Sequence, residues 1–217
     1  MMAPGLLVLG LALWIVGPFA AGFNVDLPTA LVHRGPYGSM FGFAVSQHRT
    51  RGVSWLLVGA PNAQTEQPEV ENGGAVFRCN AEVPNSCQQV PFDKEGHTLL
   101  KVRNSYVQSD NKSHQWFGAT LYSSGDNGQI VACAPRYVYY SVNLRRREPV
   151  GNCFVANNQF AGFREYSPCR TNAWGVYRQG YCQAGFSAAI TQNNRYLYMG
   201  AVGSFYWQGQ VFSQDLV

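Results

Sequence analysis

Phe41-Gly42-Phe43-Ala44-Val45, followed after a polar turn by Leu56-Leu57-Val58-Gly59-Ala60-Pro61, is a phrase this chain says three times. It returns as Phe117-Gly118-Ala119-Thr120-Leu121 with Ile130-Val131-Ala132-Cys133-Ala134-Pro135. It returns again as Ala184-Gly185-Phe186-Ser187-Ala188 with Tyr196-Leu197-Tyr198-Met199-Gly200-Ala201-Val202. The central glycines Gly42, Gly118 and Gly185 recur about every 70 residues, too far apart for a solenoid. The second half of each phrase is a nearly unbroken apolar run, as in a strand buried on both faces. The first half reads as a short strand whose glycine permits close backbone approach or a bend. Pro61 and Pro135 cannot donate to a ladder and end their strands.

Third strands follow at Gly73-Gly74-Ala75-Val76-Phe77, Gly151-Asn152-Cys153-Phe154-Val155 and Gly209-Gln210-Val211-Phe212. The predicted class is all-β. Each repeat forms one blade of antiparallel strands in a propeller, with function on the loops. The competing reading is a β-sandwich in which the tripeptides recur by chance. Three ordered copies weigh against it.

Residues 1–22 differ from the rest. An apolar run over residues 6–16 is followed by Gly17-Pro18 and then by the small residues Ala20-Ala21-Gly22. This reads as a secretory signal peptide, although no basic side chain precedes the run. A membrane anchor is the alternative, for which the run is short. Residues 23–217 then supply one large domain or part of one. Formal charge is +4, from 16 basic and 12 acidic residues, and Arg145-Arg146-Arg147 is the one basic run. Without interleaved aromatics that run reads as a solvated loop rather than a nucleic-acid site.

Six cysteines in a secreted chain imply disulfides, and about 15 pairings are formally open. Nearest neighbours are expected to pair: Cys79 with Cys87, Cys133 with Cys153, and Cys169 with Cys182. Each bridge would be worth about 3 kcal/mol. A zinc site would need closely spaced ligand pairs, and none is present. Asn111-Lys112-Ser113 is a sequon, so Asn111 is the expected glycosylation site.

No nucleophile elbow, phosphate loop or HExxH stretch occurs, and the acidic residues do not cluster. His33, His48, His97 and His114 are dispersed and read as surface histidines. Ser124-Gly125-Asp126-Asn127-Gly128 lacks the alternating carboxylates of a calcium loop and reads as a tight turn. No enzyme activity and no bound metal are expected.

Several longer phrases resemble the integrin α family: Lys112-Ser113-His114-Gln115-Trp116-Phe117-Gly118-Ala119, Arg147-Glu148-Pro149-Val150-Gly151, Tyr166-Ser167-Pro168-Cys169-Arg170, and Gly203-Ser204-Phe205-Tyr206-Trp207-Gln208-Gly209-Gln210. The likeness covers everything after the signal peptide. It is nearest to the class without an inserted domain that recognises Arg-Gly-Asp ligands, and to its invertebrate position-specific type. It implies the first three blades of a seven-bladed β-propeller of FG-GAP repeats. Calcium would belong to the later blades, with no cofactor in this stretch. The family's disulfides also join neighbouring cysteines.

By resemblance, the whole protein would be a cell-surface receptor that reaches the membrane through a carboxy-terminal helix beyond these residues. It would pair with a β subunit and bind extracellular matrix proteins in cell–matrix adhesion and signalling. A metal on the β subunit would hold the ligand's aspartate. The alternative is a secreted propeller fragment without adhesion activity. Phe43, Trp116 and Phe186 match an aromatic cage that grips a basic residue of the β subunit; read from sequence alone they suit the propeller core better, and the resemblance reverses that preference. Tyr206, flanked by Phe205 and Trp207, matches the aromatic that packs on the ligand's arginine. Tyr177 falls where some members carry an acid. The loop over residues 170–181 holds no carboxylate and carries Arg170 and Arg178 instead. Tyr177 and Trp174 would then either stack on a guanidinium or pack the loop.

Overall fold

The computed structural model describes residues 29–217. The expected signal peptide, residues 1–22, lies outside the described residues. The first repeat supplies β1 (Ala44–Thr50), β2 (Val53–Ala60), β3 (Ala75–Asn80) and β4 (Gln88–Val90), an antiparallel sheet in that spatial order. A hairpin of β5 (Leu99–Val102) and β6 (Ser105–Gln108) follows, then the short β7 (Asp110–Asn111). The second repeat runs β8 (Thr120–Ser123) and β9 (Ile130–Ala134). The chain then leaves to form β10 (Val138–Tyr140) and β11 (Arg146–Pro149), which join β7 in a side sheet. It returns as β12 (Asn152–Ala156) and β13 (Arg164–Tyr166), completing a sheet ordered β8-β9-β12-β13. The third repeat is β14 (Ala184–Ile190), β15 (Tyr196–Ala201) and β16 (Gln210–Asp215). The architecture is all-β, a partial propeller of three blades.

Strand β9 shows why the second half of the second phrase is apolar throughout. Side chains alternate across a strand. Ile130, Ala132 and Ala134 join a cluster with Leu57, Val76 and Phe117, while Val131 and Cys133 join another with Ile190, Leu197 and Met199. The middle blade is thus packed on both faces. Each fully buried aliphatic side chain there contributes about 2 kcal/mol.

The first half of the phrase differs from its expected form. The strands begin at Ala44 and Thr120, so Phe41-Gly42-Phe43 and Phe117-Gly118 precede them. These residues form a turn, and all three repeats build it alike. Phe43 N–H donates to Met40 O, Ala119 N–H to Trp116 O, and Phe186 N–H to Gln183 O, at 3.0–3.2 Å. The glycine is the third residue of each turn, with φ of 95° at Gly42, 89° at Gly118 and 88° at Gly185. Glycine takes up this conformation without a steric penalty. In the third repeat the same turn interrupts the β14–β15 ladder between Ala184 and Ser187. The glycines therefore mark a turn at the propeller's inner rim.

Two of them also permit close approach. A Cβ on Gly118 would lie 2.6 Å from the Ala75 carbonyl oxygen, and one on Gly185 would lie 2.6 Å from Cys153 Sγ. Gly42 has open space around it. Neighbouring cysteines are bridged: Cys79–Cys87, Cys133–Cys153 across β9 and β12, and Cys169–Cys182. Residues 124–128 form the tight turn that joins β8 to β9, with Ser124 N–H donating to Gln129 O at 3.0 Å.

His48 corrects the reading of the histidines as surface groups. It is 2% exposed and joins two blades. Its Nε2 lies 3.2 Å from the Asn158 carbonyl and its Nδ1 lies 2.9 Å from Ser123 Oγ. A carbonyl only accepts, so Nε2 carries the hydrogen and Nδ1 accepts from the serine hydroxyl. Burial lowers the imidazole's pKa from 6.5, outweighing the hydrogen bond to Asn158 and the charge of Asp126. His48 shares its face of β1 with Ala44, Ser46 and Thr50, while the strand's one large apolar side chain, Val45, lies on the exposed face, so apolar alternation in the sequence did not mark His48 as buried.

Candidate functional site

The repeated turn positions one candidate surface. Phe43 and Phe186 occupy its fourth position in the first and third repeats, and Trp116 occupies its first position in the second. The three rings line one cavity of about 140 Å³, together with Ala119, Thr120, Pro135, Arg136 and Gln183. Phe43 and Trp116 pack edge to face with centroids 5.6 Å apart. Phe43 is 48% and Phe186 55% exposed, so these rings do not fill the core. Arg136 lies over the Trp116 ring at 5.0 Å and already supplies one cation to the cavity's edge. The remaining aromatic surface is open to a second cation.

The other candidate surface lies on the loop face and is built on an unusual backbone. Ser204–Trp207 is a single turn in which Phe205, Tyr206 and Trp207 have φ of 50°, 55° and 62°. Three consecutive non-glycine residues in the left-handed region cost about 1–2 kcal/mol each. The loop over residues 170–181 compensates part of that cost. Phe205 N–H donates to Arg178 O at 2.8 Å, and Tyr206 N–H donates to Val176 O at 2.9 Å. Tyr206 remains 68% exposed, with Phe205 and Trp207 also exposed beside it. The structure therefore brings Tyr177 and Tyr206 together on hydrogen-bonded segments.

Tyr177 and Trp174 pack edge to face at 5.5 Å, and each is also approached by one of this chain's own guanidinium groups. Arg146 sits 4.2 Å above Trp174, and Arg178 sits 5.6 Å from the centre of Tyr177. Stacking on a guanidinium does occur here, with internal partners.

What shapes this loop is a residue that sequence reading passed over. Glu148 on β11 is 2% exposed. Its Oε1 accepts from Gly175 N–H at 2.8 Å, and its Oε2 accepts from Ser141 Oγ at 2.8 Å. A Cβ on Gly180 would lie 2.6 Å from the same carboxylate. The carboxylate the loop lacks is thus supplied from beneath, and it is used up in holding the backbone. The only hint in the sequence was Glu148 beside Pro149 at the end of a basic run.

A second buried network ties the loop's start to the side sheet. Asp110 accepts from Thr98 N–H at 2.7 Å, from Thr98 Oγ1 at 2.6 Å and from Tyr137 Oη at 2.9 Å. Arg170 donates to Tyr137 Oη at 3.3 Å and pairs with Glu165 at 3.0 Å. Burial, followed by the charge of Asp110, pushes the Tyr137 phenol far above its ordinary pKa. It stays protonated and keeps donating.

Asn111, on β7, is half-buried, and its Oδ1 accepts from Ser113 N–H at 2.9 Å. His33, Cys79 and Cys87 lie close enough to suggest metal ligands, but the two cysteines are bonded to each other. Among the described residues, no helix is long and apolar enough to cross a membrane.

No family model matches this chain. Among curated proteins it is 44% identical over 218 residues to integrin alpha-PS2 of Drosophila melanogaster, covering 95% of this chain and 15% of that protein. It is 43% identical over 215 residues to integrin alpha-8 of Homo sapiens, covering 96% and 20% respectively. It is 38% identical over 219 residues to integrin alpha pat-2 of Caenorhabditis elegans, covering 96% and 18%. The chain spans a fifth or less of the length of these relatives.

Proposed function

Since this chain belongs to the integrin α subunits, of which it spans a part, we propose that it forms partner-binding and ligand-binding surfaces of a cell-adhesion receptor. In this reading residues 1–22 direct the chain into the secretory pathway and are removed. The receptor stands at the cell surface, pairs with an integrin β subunit and binds extracellular matrix proteins of the Arg-Gly-Asp type. Asn111 carries a glycan.

The observation that carries the reading is the Ser204–Trp207 turn. Left-handed backbone at three bulky residues is costly, and such strain gathers where exposed side chains must be presented in a fixed geometry. Here it presents Tyr206, with Phe205 and Trp207, to solvent. Tyr206 packs on the aliphatic stem of the ligand's arginine. Tyr177, already engaged by Arg178, makes the smaller contribution. Phe43, Trp116 and Phe186 receive a basic side chain of the β subunit on the aromatic surface that Arg136 leaves free.

One experiment separates the two surfaces. The chain is carried in a complete integrin α subunit and co-expressed with a β subunit. Tyr206→Ala is expected to reach the surface normally and to lose adhesion to Arg-Gly-Asp ligands, a cost of about 2 kcal/mol or more for an aromatic anchor. Phe43→Ala with Phe186→Ala is expected to lower pairing instead. Unchanged adhesion of the Tyr206 variant at matched surface amounts would refute the ligand assignment. Normal pairing of the double variant would refute the cage.

A further inference from the structure

Arg146, Trp174, Tyr177 and Arg178 form a continuous ladder of guanidinium, indole, phenol and guanidinium. Arg146, Tyr177 and Arg178 are exposed. Among the described residues, neither guanidinium is paired with a carboxylate, whereas Lys112, Arg170 and Arg195 each are. Neither donates a hydrogen bond to a described group. The carboxylate beneath them, Glu148, is spent on Gly175 and Ser141. Two guanidinium forks are thus held in place by ring stacking with all their N–H groups left to solvent.

We propose that this ladder binds an acidic peptide segment of the matrix ligand, next to the contact made by Tyr206. The inference rests on the receptor reading for its location, and charge complementarity supplies the occupant. A guanidinium fork matches a carboxylate bidentately, and stacking on an aromatic ring pre-organises it for that contact. The two guanidinium groups lie at most about 15 Å apart, so two carboxylates up to about four positions apart on an extended peptide can reach both. A sulfated glycan is the poorer match, because it presents a continuous run of charge. The next cation of the basic run, Arg147, alternates to the other face of β11, where it stacks on Tyr140.

The test uses the α subunit carrying this chain, paired with its β subunit, and fluorescent peptides read by anisotropy. The probes are an Arg-Gly-Asp peptide without a tail, one with a Glu-Gly-Gly-Gly-Glu tail and one with a Gln-Gly-Gly-Gly-Gln tail. The Glu tail is expected to tighten binding at least fivefold over the Gln tail, with the gain shrinking as salt is raised. Arg146→Gln with Arg178→Gln should remove the gain of the Glu tail over the Gln tail, each read relative to the same variant's binding of the untailed peptide. Equal binding of the two tails overturns the proposal while the receptor reading stands. Binding of the Glu-tailed peptide alone, with none of the untailed or Gln-tailed peptides, sinks the Arg-Gly-Asp reading and leaves the acidic site in place. Heparin binding that the double variant abolishes, without a Glu-tail preference, overturns the peptide assignment in favour of a sulfated glycan.

Discussion

Along the inner rim, Gly118 lies against the Ala75 backbone and Gly185 lies against the Cys133–Cys153 bridge. On the loop face, Gly175 meets the carboxylate of Glu148 and Tyr206 meets the carbonyl of Val176. The rim solves one packing problem three times with one turn, so its device repeats in the sequence. The loop face solves a single problem once, with a buried charge and a strained backbone. The rim makes the fold, and the loops can change around it because their supports are local.

The comparison is broken most sharply at the rim. Gly118→Ala would force a Cβ onto the Ala75 carbonyl in a backbone that disfavours side chains, and is expected to cost about 3 kcal/mol or more. Gly42→Ala shares the φ but meets nothing, so its cost should be about 1 kcal/mol. The temperature at which a protease begins to cut this region of the complete subunit reads both. Equal losses would mean that conformation alone, not packing, demands the glycine.

Glu148→Ala should act on the loop face alone. It removes two charge-assisted hydrogen bonds and leaves Gly175 N–H buried, a loss of about 2–3 kcal/mol. Cutting within residues 170–181 should become rapid while the three sheets stay resistant. General unfolding would show that the loop is not a separable unit.

His48 ties the blades together in a pH-dependent way. Its folded pKa is lowered, so its contribution is complete above the unfolded value of 6.5 and is lost as pH falls through the folded one. Protease resistance should fall between pH 7.5 and pH 5, and His48→Asn should flatten that dependence. An equally steep fall in the variant would assign it to other groups.

The smallest effect should have the opposite sign. Tyr206→Gly relieves one left-handed residue and should stabilise the region by about 1 kcal/mol, yet abolish adhesion. A destabilised Tyr206→Gly variant would show that the ring is structural and would undo the contrast between rim and loop face.

What was legible in the sequence follows this contrast. The apolar strands could be read because burial on both faces leaves an unbroken run, as in β9. The glycines were noticed, but a turn and a strand were not told apart, because φ has no periodicity to betray it. The exposed aromatics Phe43 and Phe186 came from resemblance, since an aromatic beside a glycine, read alone, better suits a core. Glu148 escaped because a buried acid shows itself only through partners distant in sequence, here Gly175. His48 escaped because the buried face of β1 carries Ala44, Ser46 and Thr50 while Val45 faces outward, so the apolar pattern of the strand points the wrong way.

The bridge between Cys133 and Cys153 has a consequence for how the protein is made. Both sulfurs are shut away from solvent, and the backbone at Gly185 is pressed against them. A thiol-oxidising catalyst can reach these sulfurs only while the third repeat is still undocked. As the ribosome delivers the chain from its amino terminus, the second repeat can be oxidised before the third arrives to cover it. The finished bond then records the order of synthesis, and a chain that docks its third blade too early carries two thiols that no catalyst can reach.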